Sequence, residues 1–117
     1  MNDYMIVLKG GFENWSTKPE AEKKEVMSHF AQWAKHLIDK GHYKDCVRPE
    51  PMSESRRVTM SANNVVVDGP FSETKELISG AFFVKAKDIS EATELAKLCP
   101  VLKFGGSVDV FTLAEDR

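Results

Sequence analysis

Cysteine is scarce: Cys46 and Cys99 are the only two in 117 residues. They stand far apart, with no Cys-x-x-Cys and no histidine at finger spacing. Neither a zinc site nor a disulfide scaffold is therefore expected. Both read as free, partly buried thiols of a reducing cytoplasm. An excess of one charge sign is also missing. Sixteen Lys+Arg against eighteen Asp+Glu leave a net charge of −2, which argues against a dedicated binder of nucleic acid or anionic membrane. No apolar run approaches the ~18–20 residues of a membrane span. Met1-Asn2-Asp3-Tyr4 has no basic n-region and no cleavage-site pattern, so secretion is not expected and a cytoplasmic location is. There is no Gly-x-Gly-x-x-Gly, Walker, Gly-x-Ser-x-Gly or His-Glu-x-x-His motif. Nucleotide binding and the common hydrolase centres have no support, and neither a cofactor nor a metal is expected. What is present, 42% hydrophobic and 29% charged residues, is the balance of an ordinary globular protein, here one domain over 1–117.

Tyr4-Met5-Ile6-Val7-Leu8 is short, apolar and partly β-branched, and Gly10-Gly11 close it: a strand. Thr17-Lys18-Pro19-Glu20 offers a capping box with Pro19 in the first turn. Behind it Val26, Phe30, Trp33, Ala34, Leu37 and Ile38 recur at helical spacing as one buried stripe, and Gly41 suits the C′ position. Tyr43 to Val47 reads as a weak strand. Arg56–Met60 and Asn64–Asp68 read as a hairpin joined by Ser61-Ala62-Asn63. Ser72 to Ile78 reads as a short helix and Ala81 to Ala86 as a strong strand. Asp88-Ile89-Ser90-Glu91 is a second capping box, ahead of a stripe of Ala92, Leu95, Ala96 and Cys99. Ser107 to Leu113 is a last strand.

This order predicts an α+β fold of ferredoxin-like type: βαβ, a hairpin insert at about 53–79, then βαβ, with an antiparallel sheet and two helices on one face. A sheet with one wet face should alternate apolar and polar residues. Tyr4–Leu8 and Ala81–Val84 do not alternate, so both faces of those strands need cover and two helices supply one. The simplest second cover is another copy. About six apolar side chains on that face of each subunit, at ~1.5–3 kcal/mol each, give on the order of 20–40 kcal/mol for two subunits, which outweighs an association cost of ~4–15 kcal/mol. A homodimer with facing sheets is expected.

The segment from Asp68 to Glu76, Asp-Gly-Pro-Phe-Ser-Glu-Thr-Lys-Glu, is the most distinctive. Asp68 and Gly69 are turn formers and Ser72 can cap a helix. A carboxylate at a strand end is also a usual place for ligand contacts. His29 lies at the border of the first helix's apolar stripe. If it met Asp68, the carboxylate would orient the imidazole and raise its pKa, forming an acid–base pair. Arg57 could bind a carboxylate or phosphate group of a ligand; it also fits an exposed edge strand kept soluble by charge. Asp68 and His29 are the catalytic candidates. Arg57, Lys75 and Tyr4 are the substrate-binding candidates.

From Asp68 to Ile78, then at Gly80 and along the strand to Ala86, the chain resembles the DGPF signature of the YCII-related family. Tyr4–Leu8, Asp88–Ala92, Cys99-Pro100 and Gly106–Val110 also resemble family positions. The resemblance implies a dimeric α+β barrel. It implies a cleft between helices and sheet of the kind used by small-molecule enzymes of the wider superfamily. It also implies a His–Asp pair, in which Asp68 matches the signature aspartate and His29 is the histidine of the first helix. Many relatives end the last strand with Glu-Val-Arg-Pro. Here Asp109-Val110-Phe111-Thr112 stands instead, so that arginine's anion-binding role does not transfer. Some relatives bear names tied to transcription initiation because they occur beside or fused to sigma factors. Two functions are therefore expected: a homodimeric small-molecule-binding protein or acid/base enzyme with a cleft near Asp68, or a non-catalytic regulatory module linked to sigma-factor-dependent transcription.

Overall fold

The computed structural model describes residues 1–49, 54–69 and 77–115. The first strand, β1 (Asn2–Lys9), is longer than its apolar centre. It ends where Gly10 and Gly11 take positive φ angles of 67° and 84°. A 3-10 helix follows at Trp15–Thr17, and here the local expectation fails. The Thr17 hydroxyl donates to the Asn14 carbonyl at 3.0 Å, and no side-chain hydrogen bond caps the helix that follows. Pro19 is extended and itself occupies the N-cap of α1 (Glu20–Asp39).

Helix α1 buries Val26, Trp33 and Leu37, while Ile38 at the stripe's edge is exposed. It closes as expected. The Gly41 N–H donates to the Ile38 carbonyl at 3.0 Å and the His42 N–H to the Leu37 carbonyl at 2.8 Å. With Gly41 at φ 77°, this is the paired-bond termination that a left-handed C′ glycine permits. Strand β2 (Tyr43–Val47) follows.

The hairpin strands are β3 (Arg57–Ser61) and β4 (Asn64–Asp68), joined by a two-residue turn. Ala62 and Asn63 both take positive φ, 50° and 67°, as a turn matching the twist of its strands requires. Strand β5 (Ile78–Ala86) begins earlier than its apolar run. The expected helix from Ser72 lies largely outside the described residues. Helix α2 (Ile89–Ala96) is capped by Asp88, which accepts from the Glu91 N–H at 2.9 Å. Glu91 reaches back to the Lys87 N–H at 2.8 Å, one residue beyond the usual capping-box partner. Replacing Asp88 with Ala should cost about 1 kcal/mol in a urea titration. A change within error would show the cap to be energetically idle. A second 3-10 helix (Pro100–Phe104) then leads to β6 (Ser107–Thr112).

The main sheet is antiparallel, in the order β2-β5-β1-β6; β3 and β4 form a separate two-stranded ribbon. Leaving out the ribbon, this is the ferredoxin-like α+β arrangement expected from the element order. Tyr4, Ile6, Leu8, Val84 and Ala86 on one sheet face meet Trp33 and Leu37 of α1 and Ala92, Leu95 and Ala96 of α2. That layer is the core. On the other face, cross-strand register aligns Val47, Ala81, Val7 and Asp109 in one row and Asp45, Phe83, Met5 and Phe111 in the next. Val7 and Ala81 are already buried there and Met5 and Phe83 are half-buried. Val47, Asp45 and Phe111 are the exposed members of the two rows. An ion pair, Lys9 to Asp109 at 2.8 Å, flanks Val7 on that face.

Candidate functional site

The ribbon's pairing register sets Asp68 directly opposite Arg57 at its open end. Directly opposed residues in an antiparallel pair have Cβ atoms about 4.5–5.5 Å apart, within reach of a carboxylate and a guanidinium. Both residues are exposed. The next residue explains why the chain can turn there. Gly69 has φ 143°, and a Cβ on it would lie 2.5 Å from the Ser55 carbonyl oxygen and 3.1 Å from Arg56 Cα. Only glycine tolerates both the conformation and the approach. The Asp-Gly step thus brings the end of β4 against the backbone leading into β3, with the carboxylate at the crossing. Arg56 is fixed nearby, its Nη1 donating to the Ser55 carbonyl at 2.7 Å.

His29 is placed elsewhere. It is half-buried on α1, and its ring lies 6.0 Å from that of Phe104 in the second 3-10 helix. Among the described residues no hydrogen bond or ion pair joins it to Asp68. Tyr4 is buried in the core layer rather than open to a cleft beside the ribbon. Lys75 lies outside the described residues. Of the five candidates, then, Arg57 and Asp68 stand opposite each other in the ribbon register.

A feature not anticipated from the sequence lies beside His29. A cleft of about 480 Å³ is lined by Gly11, Glu13, Lys18, Glu22, Glu25, Val26, Phe104 and Gly105. Val26 and Phe104 give it an apolar part, and three carboxylates against one ammonium favour cationic over anionic solutes. Its signal in the sequence was the pair of glycine doublets, which read as strand ends rather than as walls. A second cleft of about 370 Å³ lies between the start of β1 and the end of β6, lined by Met1–Tyr4 and Thr112–Glu115. Neither contains Asp68 or Arg57.

The thiols differ from the expectation in one respect. Cys99 is buried, and burial pushes its pKa up to about 11, so it stays a neutral, unreactive thiol. Cys46 is exposed on the edge strand β2. Its sulfur accepts a hydrogen bond from the Tyr43 hydroxyl at 3.4 Å, and that bond, with some burial, raises the phenol to about 12. Among the described residues no three His, Cys, Asp or Glu side chains are grouped to hold a metal. Among the described residues no helix is long and apolar enough to cross a membrane.

A family model for the YCII-related domain matches residues 15–114. The chain belongs to the YCII-related family. That match spans α1, the ribbon, α2 and the whole of the last strand, so family membership covers the elements that carry both Asp68 and His29. No curated protein matches the chain.

Proposed function

We propose that this YCII-related protein is a cytoplasmic homodimer that binds a small molecule in a cleft beside Asp68, with Asp68 as the acid/base group for turnover. The single observation carrying this reading is the register of Asp68 against Arg57 at the glycine crossing. A carboxylate is held at a strand end where the chain accepts a conformation open only to glycine, and a guanidinium stands opposite. Such a pair can hold a polar ligand by its two ends, Arg57 taking an anionic group and Asp68 a donor. The half-open sheet face supports the dimer: β1 and β5 present Met5 and Phe83 away from the helices, flanked by exposed Val47 and Phe111. Neither nucleic acid nor a membrane is a partner in this reading.

A thermal-shift screen of small polar metabolites tests it. A ligand at about a hundred times its dissociation constant should add ~2.7 kcal/mol of stability to the wild-type protein. Asp68→Asn keeps the turn-forming side chain but removes the charge, and it should lose that shift while folding normally. Asp68→Ala should lose it too. Equal shifts in the wild-type protein and Asp68→Asn would overturn the reading. A second reading, a regulatory interaction module without turnover, draws on the exposed apolar side chains of the ribbon. It predicts no dependence of any ligand shift on Asp68.

A further inference from the structure

The ribbon has two unlike faces. Register pairs Val58 with Val67 and Met60 with Val65. Residues two apart on a strand share a face, so these four side chains form one continuous apolar surface. Arg57, Thr59, Val66 and Asp68 lie on the other face. Each of the four apolar side chains is 61–67% exposed, more than any other large apolar side chain among the described residues except that of Met1. The ribbon also forms no strand pairing with the main sheet. An isolated two-stranded hairpin is marginal in water, so a ribbon built this way needs something against its apolar face.

We propose that this face docks on a second copy of the chain, against the partner's open sheet face. The inference rests on the dimer proposed above and adds where the ribbon goes. Three observations favour a second copy as the occupant. The chain exposes 7818 Å², whereas a monomeric protein of its mass exposes about 6,400 Å². The surplus of about 1,400 Å² exceeds the ~800 Å² that each partner contributes to a stable interface. The radius of gyration tells the same story, at 16.1 Å against about 13 Å for a compact chain of this length. Finally, the open sheet face alone is a poor interface. Val7 and Ala81 are already covered, which leaves Val47, Phe111 and, opposite Lys9, Ile78 as its exposed large apolar side chains. The four ribbon residues provide the apolar surface the face lacks, and two-fold symmetry lets each copy supply both halves. Asp68 stands at the root of the same ribbon on its opposite face, so docking would fix the position of the carboxylate as well as bury the valines.

Two measurements test this. Sedimentation equilibrium on the wild-type protein establishes the dimer. Val58→Ser with Val67→Ser should then weaken it at least about a hundredfold, since each substitution removes a buried side chain worth a tenfold factor or more. Cross-linking gives a readout that does not depend on the stability of that variant. In a Cys46→Ser background, Val67→Cys protein is mixed with Val47→Cys or Phe111→Cys protein, re-equilibrated, and treated with a short bis-maleimide. A cross-linked heterodimer with either partner supports the ribbon–sheet contact. If the wild-type protein is a dimer but no such cross-link forms and the double variant dimerises normally, the ribbon proposal is overturned and the dimer stands. A monomeric wild-type protein would overturn both.

Discussion

Trp33→Ala should remove about 3–5 kcal/mol of stability, a large share of what a domain of this size possesses. Trp33 is 4% exposed at the centre of the helix–sheet layer. Its ring centroid lies 4.6 Å from that of Phe82, tilted by 57°, a geometry that adds to the value of the buried area. Its indole N–H donates to the Leu95 carbonyl of α2 at 3.1 Å. One side chain therefore ties α1, β5 and α2 together. The contributions of ring and hydrogen bond can be separated, because the Leu95 carbonyl also accepts from the Lys97 and Leu98 N–H groups. Trp33→Phe keeps most of the ring and does not leave that oxygen without a donor, so it should cost only about 1–2 kcal/mol. Guanidinium titrations of the two variants measure the difference. A Trp33→Ala cost below about 1 kcal/mol would mean that this layer is not the one holding the fold together.

The helices and main sheet were legible because their signals are local and strong. The α1 stripe, Gly41 and the Asp88 cap each read directly from side-chain chemistry, and each does in the structure what that chemistry permits. The Thr17 capping box was not legible. Deciding between a cap and a 3-10 turn depends on the path of the chain from Gly11 to Pro19, which no single residue specifies. For the strands, absence of alternation correctly marked β1 and β5 as central. On the open face of those strands Val7 and Ala81 are already buried within one chain. The site shows the same division. Arg57 and Asp68 lie opposite each other because a two-residue turn sets the ribbon register, and a hairpin register is a short-range property. Whether His29 approaches Asp68 depends on how the ribbon lies against α1, a long-range matter that spacing does not encode. The structure places the histidine beside Phe104.

The two glycines packed on Val101 yield the other large effect. Gly106→Ala should destabilise the protein by about 2–4 kcal/mol, and Gly11→Ala by a similar amount, for different reasons. A Cβ at Gly106 would lie 2.6 Å from the Lys9 carbonyl oxygen and 2.6 Å from Val101 Cγ2. The oxygen belongs to β1 and cannot move without disturbing the sheet, so the overpacking cost of ~1–3 kcal/mol is a floor. At Gly11 the close atom is Val101 Cγ2 at 2.5 Å, and the next is 3.6 Å away, but φ is +84°. That conformation adds a backbone cost of roughly 1–2 kcal/mol. Val101→Ala distinguishes the two cases. It removes the Cγ2 atom, so in a double-mutant cycle it should relieve Gly11→Ala by more than about 1 kcal/mol and leave only the backbone cost. The same change should relieve Gly106→Ala much less, because the Lys9 oxygen remains. Equal coupling at both positions would show that the backbone of β1 yields more readily than its place at the sheet centre implies. Both glycines close over Val101, whose side chain is fully buried at the end of the core, and Gly11 also walls the cleft beside Phe104.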